Sequence, residues 1–219
     1  TMVLAAIAEG KGRPGMSFFP LTMDYREKTY AVGKIPGGFF KREGRPTEKE
    51  ILTMRLMDRP IRPLWPDGYI WDVQVQAMVL SSDMQNDPDV LAVNAGSAAL
   101  MLSDLPFQGP VGAVRVGYVE EEFILNPTDE QRKTSELDLI VVGTQAAITM
   151  VECAANEFPE DRMVEALELA HPAIQKLCEA QVALAADAGR EKTAVVALPS
   201  DEALLAAIRS EFTGYLEEA

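Results

Sequence analysis

The sequence predicts a mixed α+β fold, and two observations carry that expectation. Strand-like segments come both as close pairs, which suit hairpins, and separated by helical patterns, which suit crossovers, so a doubly wound parallel sheet is not expected. Of the 219 residues, 47% are hydrophobic, which supports a sizeable core and argues against disorder. No apolar run reaches the about 18 residues needed to cross a bilayer. No internal repeat or low-complexity tract is visible.

Taken in order, Thr1–Ala8 reads as an apolar strand with no lead-in, and Leu216-Glu217-Glu218-Ala219 stops inside a helical pattern; both ends read as those of a fragment. Gly10-Lys11-Gly12-Arg13-Pro14-Gly15 spells Gly-x-Gly-x-x-Gly after a strand. A dinucleotide site needs a helix to begin at that loop, so that its N-terminus faces the pyrophosphate. Pro14 and a strand-like run from Phe18 towards Tyr30 follow instead, so the segment reads as a hairpin connection.

Thr47-Glu48-Lys49-Glu50 is a capping box, so a helix starts at Glu48. Ile51, Leu52, Met54, Leu56 and Met57 supply its core face, and Pro60 and Pro63 end it. Val73–Leu80 alternates as a strand. Asp87-Pro88 places a cap and an N1 proline before a helix rich in Ala, Gly and Ser that suits close packing on a sheet. Val111–Glu120 and Glu122–Asn126 form a hairpin, and Leu137–Thr144 and Ala147–Glu152 two more strands. An acidic amphipathic helix spans Pro159 to about Asp187, with Gly189 ending it, and Ser200-Asp201-Glu202 opens a last helix.

Cys153 and Cys178 stand in apolar surroundings and read as reduced, buried thiols. No Cys-x-x-Cys or Cys/His spacing suggests zinc. The compartment expected from this is the cytoplasm or an organelle, with the cytoplasm preferred. The net charge of −14 argues at first against a nucleic-acid partner, but its distribution does not. Residues 1–70 hold 12 Lys and Arg against 8 Asp and Glu, while the remainder holds 8 against 26. Binding responds to the local field, and the acidic half confers solubility.

The most informative stretch runs from Lys34 to Arg62. In Lys34-Ile35-Pro36-Gly37-Gly38-Phe39-Phe40-Lys41-Arg42-Glu43-Gly44-Arg45-Pro46, two large aromatics adjoin cations on a segment too rich in Gly and Pro for a buried helix or central strand. Two readings stand. Phe39 and Phe40 form a stacking platform or constriction for single-stranded RNA, with Lys41, Arg42 and Arg45 on phosphates; or the rings plug the core while the bases are solvated. Arg55 and Arg59 lie four apart on one helical face, and Arg62 would extend it if the helix persisted past Pro60. Arginine forks match phosphate bidentately; a surface pairing ladder with Glu48, Glu50 and Asp58 is the other reading.

A catalytic centre is not visible. His171, the single histidine, precedes Pro172 with no Ser or Cys neighbour to mark a triad, and reads as structural. There is no Walker loop. Asp83, Asp87 and Asp89 are close in sequence, but a strand end and a helix cap explain them better than a metal.

Ile35–Pro46, Arg55-Leu56-Met57-Asp58-Arg59-Pro60-Ile61-Arg62-Pro63-Leu64, Phe18-Phe19-Pro20-Leu21-Thr22, Asn86-Asp87-Pro88-Asp89 and Gly109-Pro110-Val111-Gly112 together resemble the first core domain of the polynucleotide phosphorylase family. The resemblance runs from Thr1 to about Ala180 and more weakly through the last helix. It implies a ribonuclease PH-like (ribosomal protein domain-2-like) mixed sheet with packed helices over residues 1–182, truncated at its N-terminus, and the start of an all-helical linker over 183–219. It implies part of a 3′→5′ exoribonuclease that degrades RNA with inorganic phosphate to nucleoside diphosphates, assembled as a homotrimer around a channel, with no membrane partner.

In that resemblance Phe39, Phe40, Lys41 and Arg42 match the family's Phe-Phe-Arg-Arg channel loop, Lys41 replacing the first Arg, so charge is kept and a bidentate fork is lost. Arg45 joins this RNA-binding set. Arg55, Arg59 and Arg62 match basic positions flanking the catalytic cleft. The phosphate loop and the Mg²⁺ (or Mn²⁺) aspartates belong to a second core domain absent here, so no catalytic or metal-binding residue is assigned in this chain. A non-catalytic RNA-binding or scaffold module of the same fold is the alternative. A third reading, an anionic metabolite on Arg55 and Arg59, predicts that Phe39 and Phe40 are dispensable.

Overall fold

A computed structural model describes residues 1–12, 18–195 and 201–217, with side chains to residue 214. Its seven strands form two sheets, accompanied by five α-helices. The first holds β1 (Met2–Gly10), β3 (Asp72–Ser81) and β2 (Leu21–Glu27), in the order β1-β3-β2. The second holds β4 (Gly112–Val119), β5 (Glu122–Leu125), β6 (Leu137–Gly143) and β7 (Ile148–Ala155), in the order β5-β4-β6-β7. The mixed α+β expectation holds.

The hairpin expected between the first two strands does not. β3 lies between them, antiparallel to β1 (Gly10 opposite Asp72) and parallel to β2 (Leu21 opposite Val73). The Gly-rich segment is therefore no hairpin turn: it carries the chain between strands on opposite sides of β3, and its residues 13–17 lie outside those described. A parallel neighbour leaves no local turn signal, which is why the pattern misled. The second sheet is instead antiparallel throughout.

Helix α1 (Glu48–Ile61) packs on β2 and touches β7, while α2 (Pro88–Leu102) packs on β1, β3 and β4, so both lie between the sheets. One core gathers Tyr25, Met57, Ile61, Val73, Val75, Val93 and Leu100 with Val111, Ala113, Val142 and Met150 of the second sheet and its approach. The other face of that sheet (Val114, Val116, Leu139, Val141) is covered by Ala166, Ala170, Ile174 and Cys178 of α4 (Glu160–Ala188). Cover on both faces explains why β4 and β6 are buried almost continuously instead of alternating. Asn94 of α2 pins β4 like a missing strand, its side-chain amide bonding the carbonyl (2.9 Å) and N–H (2.8 Å) of Ala113.

Three sequence details change. Ile51 and Leu52 are half exposed, and the inner face of α1 is carried by Glu50, Thr53, Leu56, Met57, Pro60 and Ile61. Pro60 sits in the last turn of α1, and Arg62 keeps helical angles beyond it (φ −57°, ψ −43°). Cys153, expected to be buried, is exposed, because α4 covers β4 and β6 but does not extend over edge strand β7, while Cys178 is buried; both are free thiols. A short helix not expected, α3 (Asp129–Thr134), starts at a second capping box, Thr128 with Gln131. The last helix is α5 (Glu202–Glu217).

Candidate nucleic-acid interface

The aromatic loop leaves the body of the protein after a 3-10 turn at Thr29–Val32. Gly33, at φ 70°, turns the chain outward where a side chain would be strained, and Lys34 N–H still reaches the carbonyl of Thr29 at 3.2 Å. Lys41 also takes a left-handed angle (φ 50°). At the far end the capping box closes: Thr47 Oγ1 accepts from Glu50 N–H at 3.2 Å, and the Glu50 carboxylate accepts from Thr47 N–H at 2.6 Å. Glu50 accepts as well from the N–H of Glu27 at 2.9 Å, joining α1 to the end of β2. Burial opposes its charge, but the amides of Thr47 and Glu27 prevail and hold the carboxyl below its usual range.

Between these ends Phe39 is 94% and Phe40 79% exposed, their rings edge to face with centroids 5.4 Å apart. The core-plug reading is therefore excluded. Lys41, Arg42 and Arg45 are exposed too and make no ion pair among the described residues. Rings and cations alike face solvent on one projecting segment, an arrangement able to stack bases and neutralise phosphates.

The three arginines of α1 and its continuation are used differently. Arg55 is exposed without a partner among the described residues. Arg59 meets Glu152 of β7 at 3.3 Å, a solvent-exposed contact of little strength. Arg62, though exposed, is spent on partners within the chain: Nε and Nη2 hold Asp58 at 2.9 and 2.6 Å, and Nη1 and Nη2 donate to the carbonyls of Phe19 and Leu21. The ladder with Glu48 and Glu50 is not formed; only Asp58 pairs, with Arg62.

The aspartates meet cations and amides. Asp83 accepts from the N–H groups of Asn86 and Gln85, the Asn86 amide and Thr1, which hold its carboxyl far below the carboxylate range. A chain of alternating charges follows: Glu27–Lys49–Asp87–Arg132–Asp138–Arg115–Asp89. Burial pushes the Asp87 carboxyl up, but Lys49, Arg115 and Arg132 together outweigh it and the net shift is down; at the more deeply buried Asp89 burial wins over Arg115 and the shift is up. A cleft of about 990 Å³ opens over this network, lined among others by Lys28, Lys49, Asp87, Arg132 and Lys133. Each carboxylate of this chain of charges has its counter-charge, and no group of three metal-ligating side chains exists among the described residues. The sequence reading missed this network; the second capping box before Arg132 was its one local signal.

The profile of the 3′ exoribonuclease family, domain 1, matches residues 1–106, and that of domain 2 of the same family matches residues 109–173. The chain belongs to the 3′ exoribonuclease family. The two profiles fall on the two sheets, one each. Among curated members, the polyribonucleotide nucleotidyltransferase of Acidobacterium capsulatum is 50% identical over the whole chain, and that of Rhodopirellula baltica 54% over 94% of it. The chain spans about a quarter (27%) of the length of either relative. Among solved structures, rice Rrp46 superposes with a TM-score of 0.68 over 84% of this chain and 83% of its own, at 15% identity. The ribonuclease PH-like fold of this 3′ exoribonuclease family member is thereby established.

Proposed function

We propose that this chain is the RNA-gripping first core part of a longer 3′→5′ phosphorolytic exoribonuclease, which releases nucleoside diphosphates with inorganic phosphate as attacking group. One observation carries the gripping role: Phe39 and Phe40 stand 94% and 79% exposed beside three unpaired cations. Two solvent-facing benzyl rings are costly without a partner, and nucleobases offer stacking worth about 1–3 kcal/mol per base. The activity is supported by the roughly half-identical relatives named for it.

In this reading Arg55 and Arg59 flank the catalytic cleft and lend positive field, while Arg62 sets the chain at Phe19 and Leu21. Catalysis and the Mg²⁺ or Mn²⁺ ion belong in this reading to other parts of the longer enzyme. A homotrimer would cover apolar surface such as Ile51 and Leu52 of α1. No helix among the described residues is long and apolar enough to cross a membrane, in keeping with a cytoplasmic RNA-degrading enzyme.

The test replaces both rings, Phe39→Ala with Phe40→Ala, in the full-length enzyme. Processive phosphorolysis of long single-stranded RNA falls, with less effect on very short oligonucleotides. Unchanged processivity refutes the gripping role. Absence of phosphate-dependent diphosphate release from the full-length protein would favour a scaffold instead.

A further inference from the structure

The aromatic loop would swing freely between Lys34 and Thr47 but for one contact. Among the described residues, the only hydrogen bonds from positions 35–46 to the rest of the protein come to the carboxylate of Glu43. It accepts from the backbone N–H of Thr29 at 2.9 Å and from Thr29 Oγ1 at 3.1 Å. Thr29 is the first residue of the 3-10 turn, whose N-cap Lys28 supplies no side-chain cap. Its amide is thus one of the donors a helical turn leaves unpaired, and a carboxylate is the group that suits it. Glu43 fills that place from 14 residues away, folding the loop back on the turn from which it departs.

The consequence falls on Phe39 and Phe40, four and three residues before the tether. The bond shortens the free span and fixes the side on which the rings emerge. It also turns the loop's one negative charge inward. Glu43 stands between Arg42 and Arg45 in sequence; left loose, it would neutralise these cations or repel phosphate.

We propose that Glu43 is a positioning residue: its carboxylate on Thr29 holds the aromatic pair in place and keeps acid away from the strand it grips. This rests on the reading of the loop as RNA-gripping. The experiment uses the full-length enzyme with Glu43→Ala, Thr29→Val, and Phe39→Ala with Phe40→Ala, on two readouts. One is limited trypsin cleavage after Lys41 and Arg42, which reports loop freedom without reference to RNA. The other is processivity on a long unstructured RNA, set against turnover of a short oligonucleotide.

For Glu43→Ala, cleavage speeds up about tenfold or more, the equilibrium worth of a hydrogen bond to a charged group. Processivity on long RNA falls by about the same factor and short-substrate turnover stays put. Thr29→Val, which keeps the amide donor and loses the hydroxyl, lies between. A wild-type cleavage rate in Glu43→Ala overturns the tether. Faster cleavage with unchanged processivity overturns the positioning role, provided the double Phe variant has lost processivity. If that variant keeps it, the gripping reading fails and the inference with it, and the cleavage rate shows separately whether the tether exists.

Discussion

Replacing Arg115 by Met tests the buried end of the charge chain. Its side chain is 6% exposed and pairs with Asp89, itself 9% exposed, and with Asp138. Asp138 keeps Arg132 at 2.9 Å after the change. Asp89 keeps only the N–H of Val90, at 2.6 Å, and the favourable end of α2, where it stands one residue after N1. Removing one partner of a buried pair costs about 3–5 kcal/mol, because the other charge is stranded. The helix N-terminus returns up to about 1 kcal/mol of that, so the expected loss is about 3 kcal/mol.

At roughly 2–4 °C per kcal/mol for a domain of this size, the midpoint falls by about 6–12 °C. The sign with pH follows from Asp89. Burial already raises its carboxyl, and without Arg115 it rises further, so the folded variant takes up a proton more readily than the unfolded chain. The deficit is therefore full above the raised value and narrows as pH falls through it. Thermal and urea unfolding at several pH values measure both. Arg115→Met combined with Asp89→Leu recovers most of the loss, since an apolar pair strands nothing. A single variant within about 0.5 kcal/mol of wild type at neutral pH, the range of an ordinary surface change, would refute the reasoning.

Two further outcomes follow from groups already described. Glu50→Ala removes the acceptor shared by Thr47 and Glu27 and destabilises by about 1–3 kcal/mol. Because the Glu50 carboxyl is held below its usual range, its contribution is full above the ordinary carboxylate value and disappears as pH falls through the depressed one; urea titrations at neutral and acid pH measure it. A thiol reagent labels exposed Cys153 in the folded protein and Cys178 only on unfolding, which mass analysis of the labelled peptides resolves. Burial raises both thiols, so labelling is slow at neutral pH and quickens with alkali.

Much was legible where the signal is local. The Thr47 and Glu50 box, the Asp87-Pro88 cap and the β4–β5 hairpin each rest on residues a few positions apart, and each stands in the structure. Long-range pairing was not legible. That β3 separates β1 from β2 depends on which face the intervening helix covers, and no turn residue encodes it. Ile51 and Leu52 read as core because apolarity alone cannot tell the inner face of α1 from one left bare. For the interface, the sequence named Phe39, Phe40 and the basic residues but could not say whether the rings were plugs. Nor could it foresee that Arg62 answers to two carbonyls more than forty residues away, or that Glu43 reaches Thr29.

The strand order also sets a timetable for the emerging chain. β1 leaves the ribosome well ahead of its partner Asp72–Ser81, so some sixty residues of synthesis separate the two strands. The second sheet has no such delay, each strand meeting its mate across a nearby bend. Closing the long excursion is the slow entropic step. The half of the molecule bearing the aromatic loop is thus the half whose newborn strand stays longest open to wrong partners.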